Sequence, residues 1–142
     1  MAHTGATNFS QAAQQAQQWV NELAGDLGWD ERRAYRLLRG VLHTLRDSLT
    51  PEEMSDLSSQ LPVLVRGIYF EGWQPLQALV RDRKKEEFVA RIEKDFTDDP
   101  LDDPDAAIAA VFRLLDRHIS QGEIVQVRQS MRKPLRQLWP VH

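Results

Sequence analysis

The chain has 142 residues, with 18 basic and 21 acidic side chains and 42% hydrophobic content. That suffices for one domain with a real core and is too apolar for a disordered chain. With no cysteine, disulfides, thiolate metal sites and cysteine nucleophiles are excluded. No apolar run approaches the ~20 residues of a bilayer span, and Met1 to Ser10 lacks the basic and apolar regions of a secretory signal. A cytoplasmic protein is therefore expected, with no membrane partner. Residues 104–142 carry six Lys and Arg against three Asp and Glu, so a net-positive stretch ends an acidic chain.

The spacing of Phe9, Ala12, Ala16, Trp19, Val20, Leu23 and Leu27 predicts a first helix over about Ser10 to Asp26, with Gly25 and Gly28 loosening its end. Asp30 then caps a second helix through Asp47, whose inward stripe is Ala34, Leu37, Leu38, Val41, Leu42 and Leu45. Thr50, Pro51 and Glu53 form the clearest helix start in the chain, a capping box with proline at the first helical position. The third helix has Met54, Leu57, Leu61, Leu64, Val65 and Ile68 as its stripe, and Pro62 should kink it. Glu71 to Pro75 reads as a turn.

A charged helix follows, from Leu76 or Asp82 to Lys94, with Phe88, Ile92 and Phe96 facing inward. Residues 97–105 read as an acidic loop, after which Pro104 opens a helix that buries Ile108, Val111, Leu114 and Leu115 and ends near His118. Ser120 with Glu123 repeats the capping box and starts a last helix carrying Ile124, Val127, Met131, Leu135, Leu138 and Trp139. No segment shows the alternation of a strand.

Sliding the chain by seventy residues lays Val41 on Val111, Leu45 on Leu115, Thr50 on Ser120, Glu53 on Glu123, Leu57 on Val127, Arg66 on Arg136 and Tyr69 on Trp139. With one residue inserted, Val20 and Leu23 fall on Val89 and Ile92. Register held across a cap, a turn and two apolar stripes predicts a duplication. The expected fold is all-α: a compact array of six helices in a single domain over 1–142, built from two pseudo-symmetric three-helix repeats at about 9–73 and 76–140.

Val41 to Leu49, Gln60-Leu61-Pro62, Arg66-Gly67-Ile68-Tyr69 and Glu71-Gly72-Trp73 together resemble a bacterial domain-of-unknown-function family numbered 2267. In the second half Ala110-Val111-Phe112, His118-Ile119-Ser120, Gly122-Glu123 and Leu138-Trp139-Pro140 are similar to the same family. The resemblance implies a duplicated helical domain and brings no activity with it. The chain departs from the pattern at Arg132-Lys133-Pro134, where a Leu-Pro pair is more typical.

Sites for chemistry are sparse. His43 and His118 lack the Glu three residues before them that a di-iron helix needs, and structural roles are expected for both. Asp98, Asp99, Asp102, Asp103 and Asp105 lack the spacing of a calcium loop. No Walker loop, dinucleotide glycine pattern, HExxH or nucleophile elbow is present. The reading is thus no enzyme and no cofactor. A protein-interaction or assembly module, with self or another protein as partner, leads. Its candidate surface is Arg66, Tyr69, Glu71 and Trp73, aromatics beside an Arg at the turn between the halves. Helix-turn-helix-like nucleic-acid binding is the alternative, with Arg128, Arg132, Lys133 and Arg136 as anion contacts; an acidic pI weighs against it. Small-ligand binding between the halves is a second alternative.

Overall fold

The computed structural model describes residues 5–76, 79–80, 82 and 84–140, with the backbone alone at 5–7. These residues form eight α-helices and no strand: α1 (Gly5–Leu27), α2 (Glu31–Asp47), α3 (Pro51–Ser58), α4 (Val63–Phe70), α5 (Lys85–Glu93), α6 (Pro104–His118), α7 (Gln121–Ser130) and α8 (Lys133–Arg136). A single 3₁₀ turn, Lys94–Phe96, extends α5.

The expected count of six is corrected to eight because two of the expected helices break, one at Pro62 where a kink was expected and the last between Ser130 and Lys133. Pro62 cannot donate a backbone hydrogen bond, and it stands as the N-cap of α4 after α3 has ended at Ser58. Pro134 lies in the first turn of α8, where its missing N–H costs nothing. Each break is closed by an arginine further along the chain. Arg66 donates from Nε to the Ser58 carbonyl at 2.8 Å and from Nη2 to Leu61 at 3.1 Å. Arg136 does the same to Met131 at 2.9 Å and Gln129 at 3.0 Å. The carbonyls of Leu61, Gln129 and Met131 thereby gain donors, and Ser58, which already accepts the Leu61 N–H, gains a second.

The caps read from sequence are formed. Asp30, Thr50 and Ser120 accept the backbone N–H of Arg33, Glu53 and Glu123, and Asp103, expected only as part of the acidic loop, accepts that of Ala106. Helix α1 ends on Gly28, whose positive φ lets the Trp29 N–H return to the Ala24 carbonyl. The charged helix is shorter than predicted and begins at Lys85; part of the stretch before it, Gln77, Ala78, Arg81 and Arg83, lies outside the described residues. Asp82, almost fully buried, anchors that stretch to α5 through a two-pronged pair with Arg91.

Helix α2 is the hub. Its predicted stripe is fully buried, and the helix packs against α1, α4, α5 and α6. Helix α6 lies across it and contributes Ile108, Val111, Phe112, Leu114 and Leu115 to the same core. Gly40 lets α5 come close, since a Cβ there would stand 3.3 Å from Asp95 Oδ2 and 3.8 Å from Ile92 Cγ2. Trp139 closes the far end, stacked on Phe112 at 4.3 Å and donating to Asp116 at 3.2 Å.

Helices α3 and α7 also touch, and Gln60 ties them by accepting the Ser120 N–H at 2.9 Å while donating to its hydroxyl at 3.1 Å. Across this contact the buried Glu123 carboxyl is pushed above the usual carboxylate range, first by burial and then by Asp56 and Glu53.

Two predictions follow from this packing. Arg66→Ala and Arg136→Ala should each cost roughly 1–2 kcal/mol by stranding helix-end carbonyls, read as a lower urea midpoint. A charge-retaining Lys should recover little of it, because one ammonium does not reproduce the fork. Glu123→Gln should raise the unfolding midpoint at pH 7 and leave it unchanged at pH 3. A carboxyl whose folded pKa is raised penalises the fold only while ionised.

Candidate interaction surface

One edge of α2 carries Arg39, His43 and Arg46, spaced so that all three meet the end of α4. His43 Nε2 lies 2.7 Å from the Ile68 carbonyl. Arg46 donates from Nη1 to the carbonyls of Tyr69 (2.9 Å) and Glu71 (2.8 Å) and from Nε to Asp47. Arg39 pairs with the Glu71 carboxylate at 2.9 Å. Three imidazole or guanidinium groups therefore cap one helix C-terminus, the pole that attracts cations.

The candidate residues at the turn between the halves are not one exposed patch. Tyr69 is fully buried, with its hydroxyl donated to the Met54 carbonyl at 3.1 Å, and burial raises its pKa so that it stays neutral. This corrects its placement on a surface: an aromatic ring at the end of α4 is drawn into the core, and its one polar atom finds a backbone acceptor. Arg66 is committed to the helix break. Glu71 is held by Arg39. Trp73 is exposed, edge-on to Phe70 at 5.9 Å, beside a small cleft of about 150 Å³ with Arg46, Leu49, Pro51 and Met54.

The basic candidates also divide. Arg132 and Lys133 are exposed at the start of α8. Arg128 is half-buried, and Arg136 spends its guanidinium on backbone carbonyls. Two free cations on a four-residue helix are a small anion footprint. His118 stacks on Trp19 at 4.7 Å and contacts Glu22 at 3.0 Å, tying α6 to α1. The acidic loop is engaged too: Asp99 pairs with Arg33 and Asp105 with Lys85, while Arg33 lies over the Trp29 ring at 4.0 Å. Among the described residues no group of three or more His, Asp or Glu is placed to hold a metal ion, and no helix is long and apolar enough to cross a membrane.

What sequence reasoning missed lies on the other side of α2. Phe9 and Leu64, both expected to face inward, are 75% and 45% exposed. Leu64 and the exposed Tyr35 line a groove of about 620 Å³ between α1, α2 and α4. Its floor is Ala13, Ala16, Val20 and Ile68, and its rim carries Gln17, Glu31 and Arg32. The break at Pro62 is what turns Val63 and Leu64 outward, because a continuous helix would have kept Leu64 in the register of Leu57 and Leu61.

The model of a family described as an uncharacterized conserved protein family, DUF2267, matches residues 16–138. The chain belongs to the DUF2267 family. This agrees with the resemblance carried by Gln60-Leu61-Pro62 and Glu71-Gly72-Trp73, and the matched span of this DUF2267 chain runs from the middle of α1 to the end of the core at Leu138. No curated protein matches the chain.

Burial lowers the pKa of His43 below its ordinary value, and the nearby Arg46 and Arg39 act in the same direction. The neutral ring is thus the folded form, and stability is full above the unfolded pKa of about 6.5 and lost as pH falls below it. His43→Gln, which keeps a donor, should flatten the fall in urea midpoint between pH 7.5 and pH 5.5.

Proposed function

We propose that this chain is a non-catalytic, cytoplasmic helical module that assembles with protein through the apolar face of α1, α2 and α4. The observation that carries this reading is the groove lined by the exposed Tyr35 and Leu64, with exposed Val63 next to Leu64 in the chain and exposed Phe9 one turn before Ala13 on α1. Large apolar side chains gathered in one patch with a polar rim are the usual mark of a protein contact. Charged and imidazole groups on α2 and α6 support it by being engaged within the fold: Arg39 and Arg46 hold the end of α4, Arg33 holds the acidic loop, and His43 and His118 bind groups of the fold itself.

The module is best read as two repeats, α1–α4 and α5–α8. The pairing α1 with α2 answers to α5 with α6, α1 with α6 to α5 with α2, and α1 with α4 to α5 with α8. The equivalent clamps of Arg66 and Arg136 support the same pseudo-twofold relation. Nucleic-acid binding through the basic C-terminal stretch is the weaker reading, since of Arg128, Arg132, Lys133 and Arg136 only Arg132 and Lys133 are exposed. A small ligand has a groove of about 610 Å³ between α1 and α6, but the Asp26 and Arg117 that line it already pair with each other.

Tagged protein recovered from its native lysate, compared with Leu64→Glu and with Arg132→Glu/Lys133→Glu, separates these readings. A nuclease-resistant protein, another or an untagged copy of the same chain, lost with Leu64→Glu alone is the expected result. Recovery unaffected by Leu64→Glu, or nuclease-sensitive and lost with the α8 double variant, would overturn the proposal.

A further inference from the structure

Helix α1 overhangs the body. Trp19, Val20 and Leu23 are buried, whereas from Asn8 to Gln18 only Ala12 and Ala16 are even half-covered. Three unsupported turns are too short to be stable alone in water, even when rich in Ala and Gln, so the overhang calls for a covering surface. Phe9, Ala13, Ala16 and Val20 recur at four, three and four residues, which puts them within one narrow stripe of the helix. That stripe is the α1 wall of the groove, and Phe9 prolongs it beyond the body.

We propose that the occupant of the groove is the α1 overhang of a second copy of this chain, in a twofold dimer with the two α1 helices antiparallel. The inference rests on the α1–α2–α4 face being the working surface. Charge selects this occupant. Residues 1–21 contain no Asp, Glu, Lys or Arg, in a chain that is 27% charged. A twofold sets the same stripe of α1 against itself, so a like-charged stripe would repel its copy, and this one does not. The N-terminal pole of α1 carries partial positive charge and has no acidic residue in its first turn. The groove rim supplies Glu31, held by Gln17 at 2.8 Å.

Register follows from helix geometry. A twofold passing beside Ala13 puts Phe9 about 6 Å beyond the axis at ~1.5 Å per residue. There it meets the level of Gln17 on the partner, between Ala16 and Leu64 at the groove floor. The partner's first turn then runs alongside Glu31. Ala13 at the crossing lets the helix axes approach to about 8 Å, the close end of helix packing. Each copy thus places one Phe9 in the other's groove, and both overhangs are covered by a single contact.

Sedimentation equilibrium across micromolar concentrations tests the dimer, with helicity followed by circular dichroism. Wild type should weigh twice 16.4 kDa, while Phe9→Asp and Leu64→Glu should dissociate at least tenfold more readily and lose no more helicity than the α1 overhang accounts for. Since the chain has no cysteine, Ala13→Cys should form a disulfide-linked dimer on mild oxidation, and Gln18→Cys, on the opposite face of α1, should not. A monomer at every concentration overturns the proposal. So does a dimer indifferent to Phe9→Asp in which Ala13→Cys stays unlinked, which would mean a contact elsewhere. Monomeric protein that still captures a different partner in a Leu64→Glu-sensitive way overturns the dimer and leaves the α1–α2–α4 face as a docking surface for that protein.

Discussion

Burial of α2 on several sides is the constraint from which the other elements take their positions. Ala34, Leu37, Leu38, Val41, Leu42 and Leu45 leave no water on the inner stripe, and four helices share that helix as neighbour. A helix so enclosed must satisfy whatever polar groups it carries inward. Thr44 and Ser48 do so locally, returning their hydroxyls to the Gly40 and Thr44 carbonyls. Arg46, 5% exposed, does so at long range by gripping the end of α4. The same contacts that discharge the polar debt of α2 orient α4, and α4 in turn forms one side of the groove.

Much of this was legible in the residues. Apolar spacing fixed the inward faces of α2 and α6, because a buried helix repeats Leu and Val at three and four whatever its partners are. Caps were legible for the same local reason: Asp30, Thr50 and Ser120 bond to N–H groups three residues on, and Pro51 and Pro104 can stand only near a helix start. Pro62 was read as a kink, and the chain breaks there instead; the last helix breaks too, just ahead of Pro134. What tips the balance is Arg66 and Arg136, whose reach back over five to eight residues makes a full break tolerable.

The surface was less legible, since exposure is decided by what packs opposite, and that is not a local property. Tyr69 and Trp73 look alike in sequence as aromatics near a turn, yet Tyr69 is buried under α2 and Trp73 lies at the rim of a cleft. Phe9 shares the apolar spacing of Trp19, and only the finite length of the body leaves it outside. Arg128, Arg132, Lys133 and Arg136 form a basic run in one dimension. In three dimensions the break before α8 divides them between clamp and solvent. The groove draws its walls from segments some fifty residues apart, from Ala13 to Ile68, and no single stretch announces it.

The place of Trp139 bears on how the molecule comes into being. Its ring lies flat on Phe112 and its indole N–H is held by Asp116, so the core that begins with Trp19 and Leu23 is sealed by a side chain 120 positions later. During synthesis the ribosome releases α1 to α7 before that seal exists, and Phe112 stays open to water until the last turns emerge. Completion of the core is therefore coupled to the arrival of Trp139 on Phe112, so the first and last elements of the described fold are joined in one step.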